Sequence, residues 1–160
     1  MLVLTDIHID PDYVEGTNGE CNTIGGCCNL NSGKVKHEED RAGYWGHNSK
    51  YSKCDLPYRF LDKTLQEIKK RFDNKEFDIL VSLGDIHSHS FFKVKEEVVI
   101  NANNYFIDSL IKYLPGVPVI PVLGNHETSP VDSFDFRDKQ NFTIKNIYSG
   151  YLKLIDKEKI

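Results

Sequence analysis

Three short apolar runs punctuate the chain, at residues 2–5, 77–83 and 117–123, each aliphatic or β-branched instead of alternating with polar residues. Such unbroken runs predict short parallel strands covered on both sheet faces. Between them lie two stretches with helical spacing. The first sets Leu61, Leu65, Ile68 and Phe72 on one face, with Asp55 as its expected cap and Pro57 in its first turn. The second sets Val94, Val98, Asn101, Ala102, Ile107, Leu110 and Leu114 at near-helical intervals, closed by Pro115-Gly116. Strand, helix, strand, helix, strand predicts a right-handed parallel α/β arrangement. A third helix is expected after Thr143, with an apolar stripe at Ile144, Ile147, Tyr148, Tyr151, Leu152 and Ile155. Three strands alone leave a sheet face or edge uncovered.

Residues 11–56 break the alternation, with no sustained period and all four cysteines: Cys21, Cys27, Cys28 and Cys54. An even, clustered count among glycine, asparagine and serine predicts a disulfide-stapled insert, with three connectivities open. A structural zinc is the rival reading, although Cys27 and Cys28 are adjacent and no Cys-x-x-Cys pair occurs. Disulfides imply an oxidising compartment. The sequon Asn141-Phe142-Thr143 agrees, making Asn141 a candidate glycosylation site.

A formal charge of −4 excludes a general nucleic-acid binder, which needs a basic face. No apolar run approaches the roughly 20 residues that span a bilayer. Met1 leads straight into a strand pattern without a basic leader, so the chain is expected to be a piece of a longer protein. Its 160 residues match one domain, read as a partial catalytic domain over 1–160 with the insert at about 11–56.

The chemistry sits where the strands end. The first run exits through Asp6-x-His8, the second through Gly84-Asp85-Ile86-His87-Ser88-His89, and the third through Gly124-Asn125-His126-Glu127. In an open α/β sheet, loops beyond the carboxyl ends of parallel strands form the ligand crevice, so these three clusters are expected to converge. A carboxylate such as Asp85 can bridge two ions, and an Asn125 carbonyl is an acceptable hard ligand. Glycines at 84 and 124 allow the sharp turn that faces the next residue to the crevice. Each tripeptide alone is a common turn; the three in order, each after an apolar run, are not.

This order resembles the calcineurin-like metallophosphoesterases. The flanking residues resemble the acid sphingomyelinase branch: Leu4-Thr5-Asp6-Ile7-His8-Ile9-Asp10-Pro11-Asp12-Tyr13, the Cys27-Cys28 pair, Ala42-Gly43-Tyr44-Trp45-Gly46 and Lys53-Cys54-Asp55-Leu56-Pro57. The resemblance implies the first half of a two-sheet α/β sandwich and two zinc ions. Asp6 and His8 would hold one ion, Asp85 would bridge, and Asn125 would hold the other. It makes His89 and His126 the catalytic candidates beside the phosphate, and pairs Cys21 with Cys27 and Cys28 with Cys54. It implies hydrolysis of sphingomyelin to ceramide and phosphocholine at a membrane surface, a lysosomal or extracellular setting, and a saposin-like domain elsewhere in the parent protein.

His87 departs from the family pattern and is expected to be an incidental surface histidine, the other reading being that it perturbs the His89 acid. His37 and His47 are expected to be exposed in a polar loop, and the Lys69-Lys70-Arg71 run to lie on a solvated helix face. Tyr44 and Trp45 either shape the substrate mouth or pack the insert onto the domain. The family site needs three further histidines, and none of the six here follows His126. The isolated chain is therefore expected to be inactive or nearly so. Two other readings stay open: a nucleotide phosphodiesterase of the sphingomyelinase-like branch, and a secreted disulfide module without catalysis.

Overall fold

The computed structural model describes residues 1–22, 26–46, 53–89, 95–134 and 142–154; His47, Val94, Asn141 and Ile155, named above, lie outside them. Each apolar run yields a strand shorter than itself: β1 is Leu2–Leu4, β2 is Leu80–Ser82 and β3 is Val119–Pro121. All pair in parallel in the order β1-β2-β3, with Leu2, Leu80 and Val119 in register. The residues left over at the carboxyl ends peel away and build the site.

Helix α1, Tyr58–Asp73, buries Leu61, Leu65 and Ile68 at the predicted spacing. With Ala102, Phe106 and Leu110 of α2, Glu96–Tyr113, they form one core over Leu2, Leu4, Leu80 and Val119. Both helices thus cover the same sheet face. The expectation of cover on both faces fails for β1 and β3. A side-chain period of two sends Val3 and Ile120 to the far side, where they remain 43% and 48% exposed.

Helix α2 is buried on two sides. Its second face, Val99 and Ile107, meets Ile147 and Tyr151 of α3, Phe142–Tyr151. The α3 stripe is displaced from the predicted one: Thr143, Ile147, Gly150 and Tyr151 face inward, and Tyr148 and Leu152 face solvent. Gly150 sets this choice, because a Cβ there would stand 2.7 Å from Ile107 Cδ1. A larger residue there would force the Ile107 side chain to move. A polar seam adds to the α1–α2 contact, where Asp62 accepts hydrogen bonds from the hydroxyls of Tyr105 (2.9 Å) and Tyr113 (3.1 Å). The Lys69-Lys70-Arg71 run is solvated as expected, with Lys70 paired to Glu67 at 2.8 Å. None of the described helices is long and apolar enough to cross a membrane.

The start of α1 differs from expectation. Pro57 occupies the N-cap position without a side-chain cap, because the Asp55 carboxylate is committed to His89 instead.

Tyr151 carries a pH prediction. It is 5% exposed, its hydroxyl meets no hydrogen-bond partner among the described residues, and burial raises its pKa above the ordinary phenol value. The unfolded chain therefore ionises first. This contribution to stability is whole below about pH 10 and is lost above it at about 1.4 kcal/mol per pH unit. Tyr151→Phe is expected to flatten that alkaline loss in urea titrations and to be neutral or stabilising by about 1 kcal/mol at pH 7. An unchanged alkaline slope in the variant contradicts it.

Candidate metal centre

Beyond β1 and β2 the chains diverge for three residues and then rejoin. His8 N–H donates to Asp85 O (2.9 Å) and Ile9 N–H to Ile86 O (2.7 Å). That second pairing sets His8 beside Asp85. On the other flank the end of the insert returns as a neighbour: Leu56 N–H donates to His8 O and Asp10 N–H to Leu56 O, both at 2.9 Å. The third loop arrives through Asp85 itself, whose Oδ1 accepts the His126 N–H at 2.9 Å.

The result is a cluster in which donor atoms of Asp6, His8 and Asp85 all lie within 4.8 Å of one another. His8 Nε2 stands 3.9 Å from Asp6 Oδ1. All three residues hold left-handed backbone, with φ of 51°, 43° and 55°. Non-glycine residues avoid that region at a cost on the order of 1 kcal/mol each. Among the described residues the only other non-glycine positions there are Cys28, Lys75 and Asp132. Half of these strained positions thus fall on one constellation, where they aim carboxylates and imidazole at a common point.

Two carboxylates and an imidazole fit a divalent cation such as Zn²⁺ or Mn²⁺. The surroundings of the ligands fit too. His8 Nδ1 lies 2.9 Å from the carbonyl of His87. A carbonyl can only accept, so Nδ1 carries the hydrogen and Nε2 the lone pair. Asp6 accepts the hydroxyl hydrogen of Thr5.

His89 and His126 close the cluster. Their rings stand 3.9 and 4.6 Å from that of His8 and 5.0 Å from each other, centre to centre. His126 is buried, with Nδ1 3.3 Å from Ser88 O; burial first, and then the nearby His8, hold its pKa below the ordinary value. The side chain of His89 is 53% exposed. Its ring Nδ1 and backbone N–H both meet Asp55, at 2.8 and 2.6 Å. Asn125 stands next to Gly124, on the same loop.

The roles of three residues here escaped the sequence reading. Asp55 is one, taken for a cap. Glu127 is another: fully buried, it accepts N–H groups of Asp85 (2.9 Å), Ile86 (2.8 Å) and Gly124 (2.6 Å) and so ties the β2 and β3 loops together. Burial raises its pKa and the three donors oppose that. A carboxylate three residues after a helix-starting glycine was the available signal.

The third is His87, which corrects the expected surface histidine. It is 1% exposed, because Ile86, His87 and Ser88 extend the sheet against Ile9 and are sealed with it. Burial pushes its pKa down to about 4, which keeps the ring neutral. Burial likewise pushes Asp10 up to about 6, against the Asp12 N–H it accepts.

The insert is stapled by Cys21–Cys27 and Cys28–Cys54. This is the pairing implied by the resemblance, and it removes the structural-zinc reading. His37 is exposed as expected. Tyr44 lies under the Arg59 guanidinium, 4.3 Å from the ring centre, and its carbonyl accepts from Arg59 Nε, so the loop packs onto α1. Trp45, edge-on to Tyr44, remains half exposed.

Cys54 tethers Asp55, and its loop to Cys28 spans 26 residues. Replacing both cysteines by serine is expected to cost about 3–4 kcal/mol in denaturant unfolding. An unchanged midpoint contradicts a tethering role.

A model of the calcineurin-like phosphoesterase family matches residues 1–158. The chain is 38% identical over 135 residues to a sphingomyelin phosphodiesterase of Bos taurus, covering 84% of this chain and 20% of that protein. It is 39% identical over 134 residues to a sphingomyelin phosphodiesterase of Homo sapiens, with the same coverage. Sphingomyelin phosphodiesterase 2 of Caenorhabditis elegans is 34% identical over 148 residues, 83% of this chain and 23% of that protein. The chain spans about a fifth of the length of these curated relatives.

Proposed function

The chain belongs to the calcineurin-like phosphoesterase family, and from that premise we propose that it carries one wall of a zinc phosphodiesterase site acting on sphingomyelin. The observation that supports this most is the meeting of Asp6, His8 and Asp85 donors within 4.8 Å, at the ends of two strands. Asp6, His8 and Asp85 would hold one ion, and Asp85 with Asn125 would serve a second. A divalent cation held there would supply the positive charge and the acidified water that phosphodiester hydrolysis requires.

The chain's own residues do the rest. Asp55 accepts from both Nδ1 and the backbone N–H of His89, which fixes the ring and leaves Nε2 to exchange a proton with the leaving alkoxide. His126, anchored on Ser88 O, stands beside it to hydrogen-bond a phosphoryl oxygen. Glu127 takes no part in proton transfer in this scheme; it holds the loops in place.

Sphingomyelin, with ceramide and phosphocholine as products, is favoured because the first relatives bear that name. The two disulfides fit passage through the secretory pathway and a lysosomal or extracellular destination. The test offers sphingomyelin vesicles and ATP side by side to the protein that carries these residues, with zinc and after chelation. Zinc-dependent release of phosphocholine that Asp85→Asn abolishes is expected. Preferential ATP hydrolysis overturns the lipid assignment, and turnover unaffected by chelation overturns the metal.

A further inference from the structure

Each of the three clustered histidines has its Nδ1 against a fixed acceptor: the His87 carbonyl for His8 (2.9 Å), the Asp55 carboxylate for His89 (2.8 Å) and the Ser88 carbonyl for His126 (3.3 Å). An acceptor at Nδ1 selects the tautomer whose lone pair is on Nε2. Histidine ligands of metal ions show this same pattern, the ring's other N–H given to a carboxylate or a backbone carbonyl. One ring nitrogen from each of the three lies within 4.8 Å of the others. An ion bound at about 2.0–2.1 Å from each nitrogen needs spacings of about 3.4 Å. Bringing the nitrogens from within 4.8 Å to that spacing takes a closure of about 1.4 Å at most, shared among the three rings.

We propose that His8, His89 and His126 form an alternative cation site for a transition metal such as Zn²⁺ or Co²⁺. It competes with the Asp6–His8–Asp85 site for His8. Three neutral imidazoles suit zinc, cobalt and copper and leave magnesium, calcium and manganese to the carboxylates. Three protein ligands with a fourth position open is also the usual coordination of an accessible zinc. His8 has one lone pair on Nε2, so it serves one ion at a time. Filling the histidine site withdraws His8 from the carboxylate site and occupies the two rings that handle the proton and the phosphoryl oxygen. Excess zinc is thereby expected to inhibit the activity proposed above. The inference rests on that reading only for this consequence; the binding itself stands on the three rings.

The test is direct titration of the metal-free chain with Co²⁺, read by visible absorption and by calorimetry, with no substrate present. A four-coordinate, nitrogen-rich Co²⁺ spectrum is expected in the wild type and in Asp6→Asn, whose side chain is exposed. His89→Gln and His126→Gln, each checked for native circular dichroism, are expected to lose that spectrum. Asp55→Asn is expected to weaken it by about 10–100-fold, as loss of an outer hydrogen-bond partner does. If folded His89→Gln and His126→Gln bind Co²⁺ as the wild type does, and Asp6→Asn does not, the histidine site is overturned while the carboxylate site stands. Binding indifferent to all four substitutions overturns both.

Discussion

Glu127→Ala is expected to lower stability by about 4 kcal/mol and to abolish divalent metal binding, although Glu127 itself binds no metal. Its carboxylate is fully buried and accepts three backbone N–H groups, from Asp85, Ile86 and Gly124. Removing it strands three donors away from water, each worth about 1–3 kcal/mol, with partial relief as the loops relax. Those donors belong to the residue that accepts the His126 N–H and to its neighbours, so the loops holding Asp85 and His126 separate together. Thermal unfolding should fall by roughly 10 °C for a chain of this size. Glu127→Gln keeps the volume and one acceptor oxygen and should lose about half as much. A Glu127→Ala variant with wild-type melting and metal affinity would falsify the clamp.

Gly124→Ala is expected to be as severe through sterics alone. A Cβ at Gly124 would stand 2.2 Å from Asp85 Oδ1 and 2.6 Å from Asp85 N. Its counterpart at Gly84 would stand 2.0 Å from Gly124 N, at a φ of +87° that only glycine adopts without strain. The two glycines are therefore one contact, backbone against backbone, and no rotamer change relieves it. The expected cost is about 4 kcal/mol, above the roughly 1–3 kcal/mol usual for overpacking because the clash includes backbone atoms. The Asp85 carboxylate moves away from Asp6 and His8 in the process. Calorimetric metal titration of the refolded variant checks this; undiminished affinity contradicts the close approach of the two loops.

These two effects show which parts of the site were legible in the sequence. Asp6, His8 and Asp85 were readable because residue type and position agree: polar, metal-competent residues directly after apolar runs mark carboxyl ends of strands. The turn glycines were readable for the same reason, though not their contact with each other. The disulfide pairing came from resemblance and not from spacing, which left three connectivities open.

What escaped depends on distance in the chain. Asp55 sits beside a helix start, where a cap is the local expectation; only the fold brings it to His89. His87 lies between two residues of the site and reads as polar surface, yet the sheet extension against Ile9 carries it inside. The unbroken apolar runs implied cover on both sheet faces and the strand count implied an uncovered face or edge; the exposed Val3 and Ile120 follow the count, because such a run reads the same whether or not its far side is covered. The α3 stripe was off because Gly150, which decides the helix contact, carries no hydrophobic signal at all.

The proposed cation site takes Asp6 and His8 from one loop and Asp85 from another, distant in sequence, with the third loop held against Asp85 through the His126 N–H. The most direct test uses Mn²⁺, which favours carboxylate-rich sites over imidazoles, with electron paramagnetic resonance reporting free ion against the disulfide-intact chain. Saturable binding that Asp6→Asn and Asp85→Asn each weaken by at least about tenfold, while circular dichroism stays native, is the predicted result; each loses one of the three donors named. Folded variants that retain wild-type Mn²⁺ affinity would contradict the account.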